Sequence, residues 1–148
     1  MDTNISQLED LIKNHLSAIS NLANQIEQKE LEKHDLLKET ALGIIDIIDS
    51  FERLEEEIIE KRRNKSKDVS KIMKRYQTIH AKLIYLLQKK GITKIEFPNN
   101  RLIVGLCEIT STEPDLSKEN DEIISIVKNG YVKDNELIRA AQIIVVKN

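Results

Sequence analysis

The chain has no tryptophan, two phenylalanines and three tyrosines, so aromatics make up only 3% of its 148 residues. That excludes a large aromatic-packed core, because these side chains bury the most area apiece. Glycine and proline are almost as scarce, at four and two, which leaves few breakpoints and favours long elements. Gly43, Gly91, Gly105 and Gly130 lie far apart, so no local glycine-rich loop can cradle a phosphate or a dinucleotide. The one cysteine, Cys107, can form no internal disulfide; it fits a reducing compartment and the role of a small buried hydrophobe. No stretch approaches the ~18 apolar residues of a membrane span, and the Met-Asp-Thr-Asn start lacks the features of a secretion signal. The expectation is a cytoplasmic protein with no membrane partner. A net charge of −2, with basic runs no longer than Lys61-Arg62-Arg63 and Lys89-Lys90, argues against nucleic acid, which demands a cationic footprint. His15, His34 and His80 never fall four residues apart, so no helical metal site is expected. The acidic run Glu55-Glu56-Glu57 with Glu60 reads as a solvated helix face rather than a catalytic pair. Neither a cofactor nor enzymatic activity is expected.

What is present is charge, 32% of residues, interleaved with spaced Ile and Leu. In residues 36–59, LLKETALGIIDIIDSFERLEEEII, the positions Leu37, Ile44, Ile47, Ile48, Phe51, Leu54 and Ile58 recur at spacings of three, four and seven. That period predicts a helix with one broad apolar face, each fully buried Ile, Leu or Phe contributing roughly 1.5–3 kcal/mol. Upstream, Ile5, Leu8, Ile12, Ile19, Leu22 and Ile26 form a heptad with His15 in one core slot, the pattern of a coiled-coil seam. No proline interrupts residues 6–63, so the two patterns predict one helix on the order of 85 Å long at 1.5 Å per residue. A one-sided stripe on so long a helix has no partner within its own chain. The expectation is a homodimer, with parallel helices because β-branched residues and leucines fall on separate seam positions. Ile44, Ile47, Ile48, Phe51, Leu54 and Ile58 would form the dimer contact.

A break is expected over residues 61–68, with Asn64 and Ser66 as turn formers and Asp68 as N-cap. Val69, Ile72, Met73, Tyr76, Ile79, Leu83, Leu86 and Leu87 then mark a second amphipathic helix, closed by Lys89-Lys90-Gly91. Two helices per chain, doubled by dimerisation, make a four-helix bundle. Beyond Gly91 the period shortens to that of strands: Ile92 with Ile95 and Phe97, a turn at Pro98-Asn99-Asn100, an apolar run over residues 102–109, a polar loop over 110–121, and a strand over 122–127. A turn at Asn129-Gly130 and a tight hairpin at Lys133-Asp134-Asn135 precede a last strand over 137–146. The predicted class is α+β: a long N-terminal coiled-coil helix and helical-bundle dimerisation region in residues 1–91, and a small C-terminal β domain in residues 92–148 that folds back on the bundle end.

Two segments resemble the GrpE family, the nucleotide-exchange factors of DnaK-type chaperone ATPases. Ile47-Ile48-Asp49-Ser50-Phe51-Glu52-Arg53 is similar to the Asp-Asn/Ser-Leu/Phe-Glu/Asp-Arg run on that family's bundle helix. Ile126-Val127-Lys128-Asn129-Gly130-Tyr131, followed by Leu137-Ile138-Arg139-Ala140-Ala141 and alternating Val and Ile, resembles its C-terminal signature. Between them LLQKKGITKI, residues 86–95, resembles the family's helix-glycine-strand junction. The resemblance covers nearly the whole chain. It implies a homodimer in which one protomer's β domain and the adjoining helix grip the nucleotide-binding domain of a DnaK-type ATPase and favour its open cleft. The contact residues it implies are Val127, Arg139 and Val145 in the β domain, with Glu52 and Arg53 on the helix. Asp49 and Arg53 form an acid-then-base i,i+4 pair expected on the outer helix surface. Helix support and partner contact stand side by side for Asp49, Glu52 and Arg53, as do partner contact and an internal ion pair for Arg139. Gly130 is expected at a turn of positive φ. Asp46, Arg75 and Glu136 depart from the family pattern, Glu136 by reversing a charge. Glu136 and the absence of the family's arginine cluster around Leu22 to Ile26 leave room for a second reading, a coiled-coil adaptor whose β domain docks an unrelated protein without exchanging nucleotide.

Overall fold

The computed structural model describes residues 2–61 and 67–148, with side chains for residues 4–59 and 70–148. The turn expected at Asn64 and Ser66, the basic residues Arg62 and Arg63, and the side chain of Asp68 lie outside the described residues. Among those described, the helices α1 (Asp2–Lys61) and α2 (Lys67–Lys89) precede six strands. These are β1 (Ile92–Lys94), β2 (Cys107–Glu113), β3 (Ile123–Lys128), β4 (Tyr131–Lys133), β5 (Glu136–Arg139) and β6 (Ala141–Val146). The fold is α+β. By compactness the chain divides into Met1–Glu39 and Thr40–Asn148.

In Met1–Glu39 the described residues are helical throughout. Ile5, Leu8, Ile12, Ile19, Leu22 and Ile26 are each more than half exposed, so within one chain the heptad stripe buries little of the surface that would stabilise it. Gln28 donates from Nε2 to Glu32 Oε1 at 3.3 Å, an i,i+4 pair that supports the helix locally in its polar stretch.

Thr40–Asn148 holds two apolar clusters. In the first, Ala41, Ile45 and Ile48 of α1 and Leu87 of α2 pack with Ile92 of β1, Tyr131 of β4 and Ile138 of β5. The α1 members recur every three or four residues, one stripe of a helix. That stripe is covered by the antiparallel sheet β1-β4-β5. Ile48, read from sequence as a dimer contact, is fully buried against its own chain, whereas Ile47 and Leu54 remain 49% and 46% exposed. One helical turn carries both faces, and the period alone does not say which face is covered by what. Further along, Phe51 meets the Tyr76 ring of α2 at 4.6 Å between centroids.

The second cluster joins Ile123, Ala141, Ile143 and Val145, with Phe97, Leu102 and Cys107 against it. It belongs to the sheet β2-β6-β3, in which β6 is central, parallel to β2 and antiparallel to β3. Three expectations change here. Residues 102–106 are not strand, because the backbone turns at Gly105 (φ 86°) and Leu106 N–H donates to the Ile103 carbonyl. β2 instead starts at Cys107 and runs through Glu113, into the stretch expected as loop, since Ser111, Thr112 and Glu113 find ladder partners in Ile144, Val145 and Val146. And the final apolar run is two strands: β5 pairs with β4, the chain breaks at Ala140, and β6 enters the other sheet. The hairpin at Asp134-Asn135 is present, with Lys133 opposite Glu136 and Asp134 at φ 53°.

Candidate functional site

Asp49 follows Ile48 and lies one turn beyond Ile45, so α1 carries its carboxylate to the edge of the stripe covered by the sheet. It is 6% exposed. A buried carboxylate demands a partner, and Arg139, the last residue of β5, supplies it with two parallel bonds. Nη1 donates to Oδ2 at 2.6 Å and Nη2 to Oδ1 at 2.8 Å. The same guanidinium donates from Nε and Nη2 to the Asn129 carbonyl at 3.2 and 2.6 Å, stands 3.7 Å from Asp46 Oδ1, and lies 5.7 Å from the Tyr131 ring centroid. Burial pushes the Arg139 pKa down, but the hydrogen bonds and charge of Asp49 outweigh it and hold the group above its ordinary value. The pairing expected between Asp49 and Arg53 is therefore replaced: Asp49 is turned inward and Arg53 is exposed. Charge-assisted bidentate geometry explains why Arg139 takes precedence.

One turn along α1, Glu52 continues the join. Its Oε2 accepts from Asn129 Nδ2 at 2.9 Å and its Oε1 faces His80 Nε2 of α2 at 3.8 Å. Between Asn129 and Tyr131, Gly130 is buried where chains cross. A Cβ there would stand 2.5 Å from the Ala141 nitrogen and 2.6 Å from Ile95 Cδ1. Close approach, and not the positive φ expected from sequence, is what requires glycine at this position.

This clamp leaves the outer side of β3 open. Ile126 and Val127 are 44% and 54% exposed. With Lys128 and Asn129 they border a cleft of about 480 Å³ whose other wall is α1, through Glu52, Arg53, Glu55, Glu56 and Ile59. Of the residues singled out from sequence, Val127, Glu52 and Arg53 are thus brought together. Arg139 lies behind them, committed to Asp49. Val145 is separated: at 1% exposure it is core of the β2-β6-β3 sheet, so the contact role implied for it does not fit this fold. Ile44 packs on the first cluster, and Ile58 is half-buried. Asp49's inward role, Asn129 and His80 were missed. The only local signal was an acid placed among Ile45, Ile48 and Phe51, which heptad spacing leaves on either side of a stripe edge. No group of three or more His, Cys, Asp or Glu among the described residues is arranged to hold a metal ion, and no described helix is long and apolar enough to cross a membrane.

Tyr131 gives this region a pH dependence. Burial, then the charges of Glu52 and Asp49, push its hydroxyl up to about 12, against the lowering effect of Arg139. An unfolded tyrosine releases its proton near pH 10. Between those values the unfolded chain holds fewer protons, so the stabilising contribution is full below about pH 10 and is lost as pH rises toward 12. The loss should be on the order of 2–3 kcal/mol for a shift of about two units. Among the described residues the Tyr131 hydroxyl has no hydrogen-bond partner, so Tyr131→Phe should cost little at neutral pH and flatten the alkaline fall. Urea unfolding of both proteins at about pH 9 and about pH 11.5 checks this; equal alkaline losses would refute it.

The GrpE family model matches residues 1–147. The chain is 24% identical over 148 residues to Protein GrpE of Prochlorococcus marinus (strain AS9601), covering 95% of this chain and 60% of that protein. It is 26% identical over 145 residues to Protein GrpE of Porphyromonas gingivalis (strain ATCC BAA-308 / W83), covering 95% and 72%. A third similar protein, Protein GrpE of Wolbachia pipientis subsp. Culex pipiens (strain wPip), is 28% identical over 142 residues, with the same coverage. The chain thus spans about 60% of the length of the Prochlorococcus relative.

Proposed function

Because the chain belongs to the GrpE family, we propose that it is a nucleotide-exchange factor, a co-chaperone that promotes ADP release from a DnaK-type chaperone ATPase. The observation that carries this reading is the Arg139–Asp49 clamp, which fixes an exposed apolar strand edge, Ile126 and Val127, beside the charged flank of α1. A strand and a helix joined in this way offer one continuous, pre-organised surface, and pre-organisation lowers the cost of binding. On this surface Val127 and Arg53 are the contact residues; Glu52 in the cleft wall and Arg139 behind it hold strand and helix together.

The factor would act by population shift. It speeds ADP release only to the extent that it binds the open state of the ATPase more tightly than the closed one. A difference of about 5.5 kcal/mol would turn a 1:99 equilibrium into 99:1. The chain contributes binding energy and no reaction step, so no cofactor enters. A homodimer belongs to the same reading. The exposed Ile5 to Ile26 heptad, with Ile47, Leu54, Ile72 and Ile79 on α1 and α2, is apolar surface for a second copy to cover. A cytoplasmic site of action goes with the partner.

The test is release of fluorescent ADP from the DnaK-type ATPase of the same organism, with and without the chain. Release should accelerate, and Val127→Asp should weaken the effect roughly tenfold, about 1.4 kcal/mol, as loss of a buried interface side chain does. Since Val127 is exposed, the variant should melt as the parent does. No acceleration by a confirmed dimer would remove this reading in favour of the adaptor.

A further inference from the structure

Asn129-Gly130, the link between β3 and β4, is fastened to α1 at two points. The Asn129 carbonyl reaches Asp49 through the Arg139 guanidinium, and the Asn129 side chain reaches Glu52 directly, Nδ2 to Oε2 at 2.9 Å. One attachment is a pivot; a second, displaced along the helix, fixes the angle about it. Asp49 and Glu52 are three residues apart, about 4.5 Å along the axis at 1.5 Å per residue, on one face of α1. Val127 lies two residues before Asn129. We propose that Asn129 and Glu52 are a positioning pair: their hydrogen bond sets the angle at which the exposed Ile126–Val127 edge of β3 stands to the α1 flank, so that a partner meets both at once.

The surroundings favour this role over direct contact. Glu52 is held from two sides, by Asn129 at one carboxylate oxygen and with His80 Nε2 facing the other at 3.8 Å. Its side chain is 30% exposed, and neither oxygen is turned wholly to solvent. Asn129 is part-buried and spends both its carbonyl and its amide on this junction. If the pair were lost, Arg139 would still tether the link and the fold would persist, but strand edge and helix would engage a partner as two loosely coupled patches, at lower effective concentration for each other.

The exchange part of the test rests on the nucleotide-exchange reading. Its other part does not. Asn129→Asp sets a carboxylate against Glu52. Adding Glu52→Gln reverses the bond's polarity, the Gln amide donating to the new carboxylate, and restores it. In ADP release, Asn129→Asp should raise the half-saturating concentration of the factor about tenfold, about 1.4 kcal/mol, with the plateau rate kept. The double variant should recover to within about threefold, which a loss of fold would not permit. In the chain alone, amide hydrogen exchange by mass spectrometry over residues 128–131 should quicken in Asn129→Asp and slow again in the double variant. A plateau that falls with an unchanged midpoint, or a double variant no better than the single, overturns the proposal. If the parent chain does not accelerate ADP release at all, the exchange reading fails. Hydrogen exchange then decides the positioning pair by itself, and unchanged protection in Asn129→Asp would overturn it.

Discussion

Arg139→Glu should destabilise Thr40–Asn148 and not simply subtract a surface contact. The parent side chain gives Asp49 two bonds of 2.6 and 2.8 Å and holds the Asn129 carbonyl. Its replacement sets a carboxylate against Asp49, which is 6% exposed, with Asp46 close by. Breaking a buried pair and leaving its partner unpaired costs about 3–5 kcal/mol, and repulsion adds to it. At roughly 2–4 °C per kcal/mol for a protein of this size, the melting temperature should fall by roughly 6–20 °C, and by more with the repulsion. Arg139→Lys should fall in between, because an ammonium keeps the charge but not the planar fork. Replacing both partners together, Arg139→Met with Asp49→Leu, should recover much of the loss, since apolar pairs often substitute for buried ion pairs without penalty. Thermal unfolding of the four proteins decides the matter. If Arg139→Glu melts within about two degrees of the parent, the side chain does not clamp β5 to α1. Exchange assays on Arg139→Glu would confound folding with contact, which is why Val127→Asp is the sounder probe.

Gly130→Ala should be the other severe change. A Cβ at this position would sit 2.5 Å from the Ala141 nitrogen and 3.0 Å from its Cα. These are backbone atoms at the start of the central strand, held by pairing with Cys107 and by the Ala141 N–H bond to the Leu106 carbonyl, so they cannot swing aside as a side chain tip would. Overpacking of this kind costs about 1–3 kcal/mol and more where the backbone must shift. The midpoint of urea unfolding should move down with the slope unchanged, the signature of lost stability in an unaltered transition. Gly43→Ala is the contrast: a Cβ there meets nothing within 4 Å, in mid-helix, where alanine is favoured over glycine by about 0.5–1 kcal/mol. If Gly130→Ala proves as harmless as Gly43→Ala, the close approach of β6 to Gly130 is wrong.

Local periodicity made the helices legible. The turn formers marked the hairpin at Asp134-Asn135 but not Asn129-Gly130, where the backbone makes no turn as it passes from one sheet to the other, and β3 itself was placed within one residue. What stayed hidden depends on partners far away in sequence. β2 extends through Thr110–Glu113 because β6 lies alongside, and nothing in Thr-Ser-Thr-Glu announces a parallel neighbour. The switch of sheets at Ala140 is invisible in a continuous run of Ile and Val, since either sheet accepts those residues equally well. Asp49 and Ile48 were misplaced for a related reason. An apolar stripe says that a helix face is covered, but the cover here is the chain's own sheet for Ala41, Ile45 and Ile48, while Ile47 and Leu54 look outward. Of the site, Val127 and the neighbourhood of Glu52 and Arg53 could be read from the resemblance. That Arg139 serves Asp49 could not, because 90 residues separate them.

If the chain shifts a DnaK-type ATPase toward its open state, its affinity for that ATPase must depend on ADP, and binding measured with and without ADP reads that dependence directly. Linkage requires that if the chain weakens ADP binding by some factor, ADP weakens binding of the chain by the same factor. Binding to the nucleotide-free ATPase should be markedly tighter, by at least about tenfold, or 1.4 kcal/mol, and by the same factor as that by which the chain raises the ADP dissociation constant. Equal affinity in the presence and absence of ADP would contradict it, because a protein that binds both states alike cannot shift the balance between them.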